Sequence, residues 1–188
     1  MEDCDIVYHQ ASSEKHMLKQ FLSFISSEYT APDIISGWNV ETFDIPYIVN
    51  RFIRVFDADE YKQLSPWKLV NEKIVKDKYG ERQSYEIVGV SILDYMILFK
   101  KFGGKYGPQS SYKLDSIAEV VLGKKKIAYD GSLFDLFLND TKKYFEYNVM
   151  DVKLVVDMEE RASLLNVGMS LAYLAGTPFS SMFGTVVS

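Results

Sequence analysis

Gly37-Trp38-Asn39-Val40-Glu41-Thr42-Phe43-Asp44 is the stretch from which the rest of the chain can be read. It follows a short apolar run, Asp33-Ile34-Ile35-Ser36, which predicts a buried strand. It leads into Ile45-Pro46-Tyr47-Ile48-Val49-Asn50-Arg51-Phe52, which predicts a helix entered through a proline in its first turn. Asn39 therefore leaves the tip of a strand, and Asp44 stands at the mouth of the next helix. About a hundred residues on, Tyr147-Asn148-Val149-Met150-Asp151 lies within a helical pattern. Tyr147 and Asp151 are four apart and so share one helix face. Taken singly, these residues have ordinary readings. Asp44 before Ile45-Pro46 is also what a helix cap looks like, Asp151 could be a solvated helix residue, and Tyr147 an aromatic at a core edge.

Taken together, an Asn-x-x-x-Phe-Asp run followed by Tyr-x-x-x-Asp suits carboxylates that converge on divalent cations to cut a phosphodiester. The pair resembles the second and third exonuclease motifs of family B DNA polymerases, whose proofreading 3′–5′ exonuclease is of the DEDDy type. The likeness extends to T-even-type bacteriophage polymerases along Ser91-Ile92-Leu93-Asp94-Tyr95-Met96-Ile97-Leu98-Phe99-Lys100-Lys101-Phe102. Ser111–Ala118, Lys126–Gly131 and the tail from Met169–Tyr173 through Pro178-Phe179 are similar too, so nearly the whole chain is covered.

The resemblance implies a ribonuclease-H-like α/β fold: a mixed sheet flanked by helices, a protruding β-hairpin, and first strands missing from this chain. It implies two-metal hydrolysis of the 3′-terminal phosphodiester of single-stranded DNA, with Mg²⁺ or Mn²⁺ as cofactor, since hard cations prefer oxygen ligands. On that reading Asp44 and Asp151 are catalytic metal ligands, and Tyr147 orients the attacking water. Asn39 supports the site from the strand end, and Phe43 packs beneath Asp44. Lys126 matches a lysine near the exonuclease site of related phage enzymes, where a phosphate contact is expected, although a lysine triplet such as Lys124-Lys125-Lys126 also suits a solvated face. The hairpin, with Lys78, Tyr79 and Gly80 at its turn, is expected to help move the primer end between polymerase and exonuclease sites; an exposed solvated hairpin is the simpler reading. Asp94, in a buried-strand context, reads as a cap or a buried hydrogen-bond acceptor.

One part of the family pattern is missing. The first motif is Asp-x-Glu on the first strand. Asp3-Cys4-Asp5 is its sole nearby candidate, but it ends in aspartate, precedes a strand and stands too close to Asp44. No polymerase palm motif follows either. The expectation is a single partial exonuclease domain over 1–188, with about 165–188 leading toward an absent palm. It would be an expressed fragment or one product of a split gene, its partners being DNA and the remainder of the polymerase with the segment carrying the first motif. The alternative is a catalytically incomplete DNA-binding or structural subunit of a split polymerase.

Bulk properties set bounds around this reading. The chain has 188 residues, 47% apolar, with a net charge of −5. That length suits one domain with a sizeable core, and the charge argues against a protein that coats DNA by bulk electrostatics. One cysteine leaves no internal disulfide, and two histidines leave little room for zinc or histidine-centred catalysis. No apolar run reaches membrane-span length, and the N-terminus is acidic where a signal sequence would be basic. A cytoplasmic protein is expected, in the host cell if phage-encoded.

Along the chain, Ile6–His9 reads as a short strand. Ser12 or Ser13 caps a helix whose stripe is Met17, Leu18, Phe21, Leu22 and Ile25. Lys73–Arg82 running into Tyr85–Val88 predicts the hairpin, Gly89–Leu93 another buried strand, and Gly103–Pro108 a loop. Helices are expected around Leu114–Leu122, Leu133–Leu138 and Tyr144–Leu164.

Overall fold

The computed structural model describes residues 6–56, 59–77, 80–123 and 131–179. Asp3-Cys4-Asp5, Lys78, Tyr79 and Lys124-Lys125-Lys126 lie outside the described residues. The chain divides into two compact units, one of Met1–Ile35 with Glu41–Ile92, the other of Ser36–Val40 with Leu93–Ser188. The fold is α/β, with small sheets and many helices.

In the first unit, helix α1 (Glu14–Ile25) starts at Ser13, whose hydroxyl accepts the His16 amide at 3.2 Å. Its inward stripe is narrower than the sequence suggests: Leu18 and Leu22 are buried, but Met17 and Phe21 stay partly exposed. Helix α2 (Asp44–Val55) buries Ile45, Pro46, Val49 and Phe52, the i, i+4, i+7 face of an amphipathic helix. Phe52 stacks on Phe56 with ring centroids 5.5 Å apart. Arg51 donates to Glu14 at 2.6 Å and ties α2 to α1.

Strand β1 (Ile34–Gly37) follows α1 in sequence and pairs with β4 (Ser91–Asp94). Between them in sequence, β2 (Val70–Asp77) and β3 (Gly80–Ile87) form an antiparallel pair in register from Val70↔Ile87 to Asp77↔Gly80. This pair leans on α2 through β3. The turn from β3 to β4 requires glycine at 89: its φ is +93°, and a Cβ there would meet Pro66 Cγ at 2.6 Å.

The second unit is helical. Asp94 starts α3 (Tyr95–Phe102), followed by α4 (Leu114–Leu122), α5 (Leu133–Asn139), α6 (Thr141–Ala162) and α7 (Leu164–Ala175). Helix α6 packs on α4 and α5, and α7 on α3. Gly168 lets that last pair approach closely, since a Cβ would come within 3.0 Å of Leu98.

Several expectations change. Ile6–His9 is not a strand: it runs as exposed coil, Val7 being 73% exposed. Apolar β-branched residues make a strand only where an edge accepts their backbone hydrogen bonds, and among the described residues no strand pairs with this segment. The described strands form two two-stranded pairs, small sheets among many helices. The Gly103–Pro108 loop contains a 3₁₀ turn over Gly103–Tyr106. The helix expected over 144–164 is α6, which begins slightly earlier, at Thr141, and ends before Ser163, whose φ is +54°; α7 beyond it was not expected. Among the described residues no helix is long and apolar enough to cross a membrane.

Candidate active site

Gly37–Asp44 spans the end of β1, a run of turns over residues 38–43, and the first turn of α2. Asn39 adopts the left-handed conformation, φ +64°, one that asparagine tolerates better than most residues. Its amide donates to Asp94 Oδ1 at 3.2 Å. The same oxygen accepts the Met96 and Ile97 amides at 3.0 and 3.3 Å, so Asp94 caps α3 and secures the strand-end turn together. Asp94 is 1% exposed, and its role is the cap and buried acceptor expected of it. Beside it, Ser36 Oγ donates to the Leu93 carbonyl at 2.7 Å and Trp38 Nε1 to the Tyr112 carbonyl at 3.2 Å.

Asp44 is the first residue of α2, with Phe43 in the cap position and making no side-chain cap bond. Asp44 is therefore inside the first turn, where the helix dipole favours a carboxylate, and is not the cap itself. Its residue surface is open to solvent, yet neighbouring protein atoms desolvate the carboxyl and push its pKa up; its own backbone amide partly opposes this. The expectation places Phe43 beneath it. Phe43 is 65% exposed, because the inward face of α2 begins only at Ile45.

Tyr147 and Asp151 lie in the first half of α6. The buried positions of that helix are Leu154, Met158 and Ala162. These recur every four residues; Asp151 lies three residues before Leu154 and Tyr147 four before Asp151, so both stand on the same side of the helix. Both residues are half-buried, and one carboxylate oxygen of Asp151 is fully buried. The structure thus brings these two onto one inward stripe in the second unit, with Asn39 in the same unit; Phe43, Asp44 and Gly80 belong to the first. Gly80 opens β3 with φ +121°. Among the described residues, no three His, Cys, Asp or Glu side chains are grouped as a metal shell.

Three residues of β2 and β3 that bond to the segments flanking Asp44 were not singled out as site residues from the sequence. Lys73 Nζ donates to Glu41 Oε1 at 2.6 Å, Ser84 Oγ to the Glu41 carbonyl at 2.5 Å, and Tyr85 Oη to Asn50 Oδ1 at 2.8 Å. The sequence gives no sign of them: β3 reads Gly80-Glu81-Arg82-Gln83-Ser84-Tyr85-Glu86-Ile87, a largely polar run in which a serine does not announce its burial.

Residues 1–117 match the family model for the exonuclease domain of family B DNA polymerases. This chain belongs to that family. The match takes in Asn39, Phe43 and Asp44. The DNA-directed DNA polymerase of Escherichia phage RB69 is 35% identical over 181 residues, 96% of this chain and 20% of that polymerase. That of Enterobacteria phage T4 is 34% identical over 181 residues, with the same shares. A span of that length necessarily includes Tyr147 and Asp151. The similarity reaches the DNA polymerase delta catalytic subunit of Candida albicans, 27% identical over 177 residues, 89% of this chain and 16% of that protein. The chain spans about a fifth of the length of its phage relatives.

Proposed function

We propose that this chain is the proofreading 3′–5′ exonuclease part of a DNA-directed DNA polymerase, hydrolysing the 3′-terminal phosphodiester of single-stranded DNA. The observation that carries the reading is the Tyr147–Asp151 pair on the inward stripe of α6, in a chain of the family B exonuclease domain. The whole chain acts as one exonuclease domain, with residues 165–188 leading toward the polymerase palm.

Asp44 and Asp151 would hold Mg²⁺ or Mn²⁺. Their chemistry fits: one is a carboxyl raised by desolvation, and the other has a fully buried oxygen. Both are states that a nearby hard cation stabilises. Mg²⁺ is commonly held by one or two carboxylates together with waters and substrate phosphate. When bound, such ions supply an activated water, a clamp on the phosphate and help for the leaving oxyanion. The Tyr147 hydroxyl, one turn before Asp151, orients the water. Asn39, fixed through its backbone to Asp94, supports the site. The exposed ring of Phe43 offers a stacking surface for a terminal base. Gly80, with Lys78, Tyr79 and Lys126 outside the described residues, contributes backbone and phosphate contacts to the strand.

The test supplies the part of the family pattern that the sequence lacks. The chain is joined to, or mixed with, the preceding segment of the phage RB69 relative and given 3′-labelled single-stranded DNA with Mg²⁺ or Mn²⁺. Degradation from the 3′ end should appear with the added segment and be very weak without it. Asp44→Ala or Asp151→Ala should abolish it. Binding of DNA with no cleavage under any of these conditions would favour a catalytically incomplete binding subunit instead.

A further inference from the structure

From Trp38 to Phe43 the chain forms only turns. A segment without a ladder or helical hydrogen bonds takes its shape from whatever grips it. Glu41 lies in the middle of this run, three residues before Asp44, and it is gripped from β2 and β3 at once. Lys73 and Ser84 are direct partners across that strand pair. Ser84 donates its hydroxyl to the Glu41 carbonyl at 2.5 Å, and Lys73 donates its ammonium to the Glu41 carboxylate at 2.6 Å. One cross-strand pair therefore holds both the backbone and the side chain of one residue.

The surroundings make this grip firm. Ser84 is 0% exposed and the Glu41 side chain 12%. A charge-assisted bond shielded in this way is stronger than an open surface pair. The next residue of β3 adds a third point, Tyr85 Oη donating to Asn50 Oδ1 at 2.8 Å. Asn50 is on α2, six residues after Asp44. The strand pair thus grips the chain both before and after Asp44, and β3 packs on α2.

We propose that the β2–β3 pair is the positioning element of Asp44, with Lys73 and Ser84 as positioning residues acting through Glu41. This rests on the reading of Asp44 as a metal-ligating carboxylate. A merely structural role for the same contacts would stabilise the strand pair and leave the backbone at Asp44 where it is.

The experiment uses the full chain, ¹⁵N-labelled and titrated with Mn²⁺, and follows the amide resonances of Phe43, Asp44 and Ile45. In the wild type, Mn²⁺ should broaden these resonances, and in Asp44→Ala it should not. Ser84→Ala and Lys73→Met should move them before any metal is added. Both variants should also raise the Mn²⁺ needed for equal broadening by about tenfold, the lower end of what loss of a partner behind a metal ligand costs. Lys73→Arg, which keeps the ion pair, should restore the wild-type response. Unmoved Phe43–Ile45 amides in folded Ser84→Ala and Lys73→Met would overturn the positioning role. If Ser84→Ala fails to fold, Lys73→Met decides, because its side chain is 35% exposed and its loss opens no buried cavity. Wild type and Asp44→Ala broadening alike would instead refute the metal-ligand reading, while the metal-free shifts would still judge the positioning.

Discussion

Replacing Asp94 with alanine removes one oxygen on which three backbone amides depend. Those of Met96 and Ile97 belong to the first turn of α3, and that of Asn39 to the turn beyond β1. Loss of a helix cap costs about 0.5–2 kcal/mol. Leaving a buried amide without its acceptor costs about 1–3 kcal/mol more. Asp94 is 1% exposed, so water does not replace what is lost. The expected penalty is about 2–4 kcal/mol, a large share of the about 5–15 kcal/mol that holds a typical domain together. Asp94→Asn keeps an acceptor oxygen in the same place and should cost about 1 kcal/mol. Urea unfolding followed by Trp38 emission, in a Trp67→Phe background, reads the right region, because Trp38 lies beside Asn39 and bonds to Tyr112. With a slope near about 2 kcal/mol per molar urea, the alanine variant should lose about 1–2 M in midpoint. Equal midpoints for Asp94→Ala and Asp94→Asn, or a loss below about 0.5 kcal/mol, would refute the argument that this oxygen holds the strand-end turn.

Three further outcomes follow from other parts of the chain. Leu154→Ala empties a fully buried position on the stripe that carries Tyr147 and Asp151 and should cost about 2–5 kcal/mol in the same unfolding assay. The Asp135 carboxyl is held below its ordinary range by the Ser132 hydroxyl and amide. A depressed carboxyl stabilises above its unfolded pKa of about 3.9 and loses that contribution as pH falls through its lower folded value. Amide protection factors over α5, taken relative to the intrinsic exchange rate at each pH, should therefore fall in acid, and Asp135→Asn should flatten that dependence. Tyr147→Phe, tested with the preceding segment supplied, should slow 3′-end hydrolysis by about a hundredfold and leave single-strand affinity nearly unchanged, since one positioned hydroxyl acts on the reacting water; loss of affinity with an unchanged rate would assign Tyr147 to DNA binding instead.

What was legible in the sequence was local. Ser13 announced α1, Pro46 after Asp44 announced α2, and Gly123 closes α4 in the left-handed conformation at the end of the expected helix. The Tyr147–Asp151 spacing placed both residues on one face because helix geometry dictates it. Where two signals overlapped, the reading blurred. Ile92–Phe99 is apolar apart from Asp94, and the change from strand to helix there shows only in the cap, with Tyr95, Leu98 and Phe99 turning inward after it. Ser163 breaks α6 from α7 without the glycine that usually marks a left-handed residue. Ile6–His9 had strand composition but found no edge. The grip of Lys73 and Ser84 on Glu41 joins residues 32 and 43 positions apart, and no local pattern encodes such a pairing.

The central claim is that Asp44 and Asp151 serve one metal site. Crystals of the chain joined to the preceding segment of its phage RB69 relative, grown with Mn²⁺ and a short single strand of DNA, would test it most directly through the anomalous signal of the metal. The account predicts Mn²⁺ density ligated by both carboxylates, with Tyr147 facing the terminal phosphate. Carboxylates more than about 10 Å apart, too far to share ions that sit about 4 Å from each other, would contradict it.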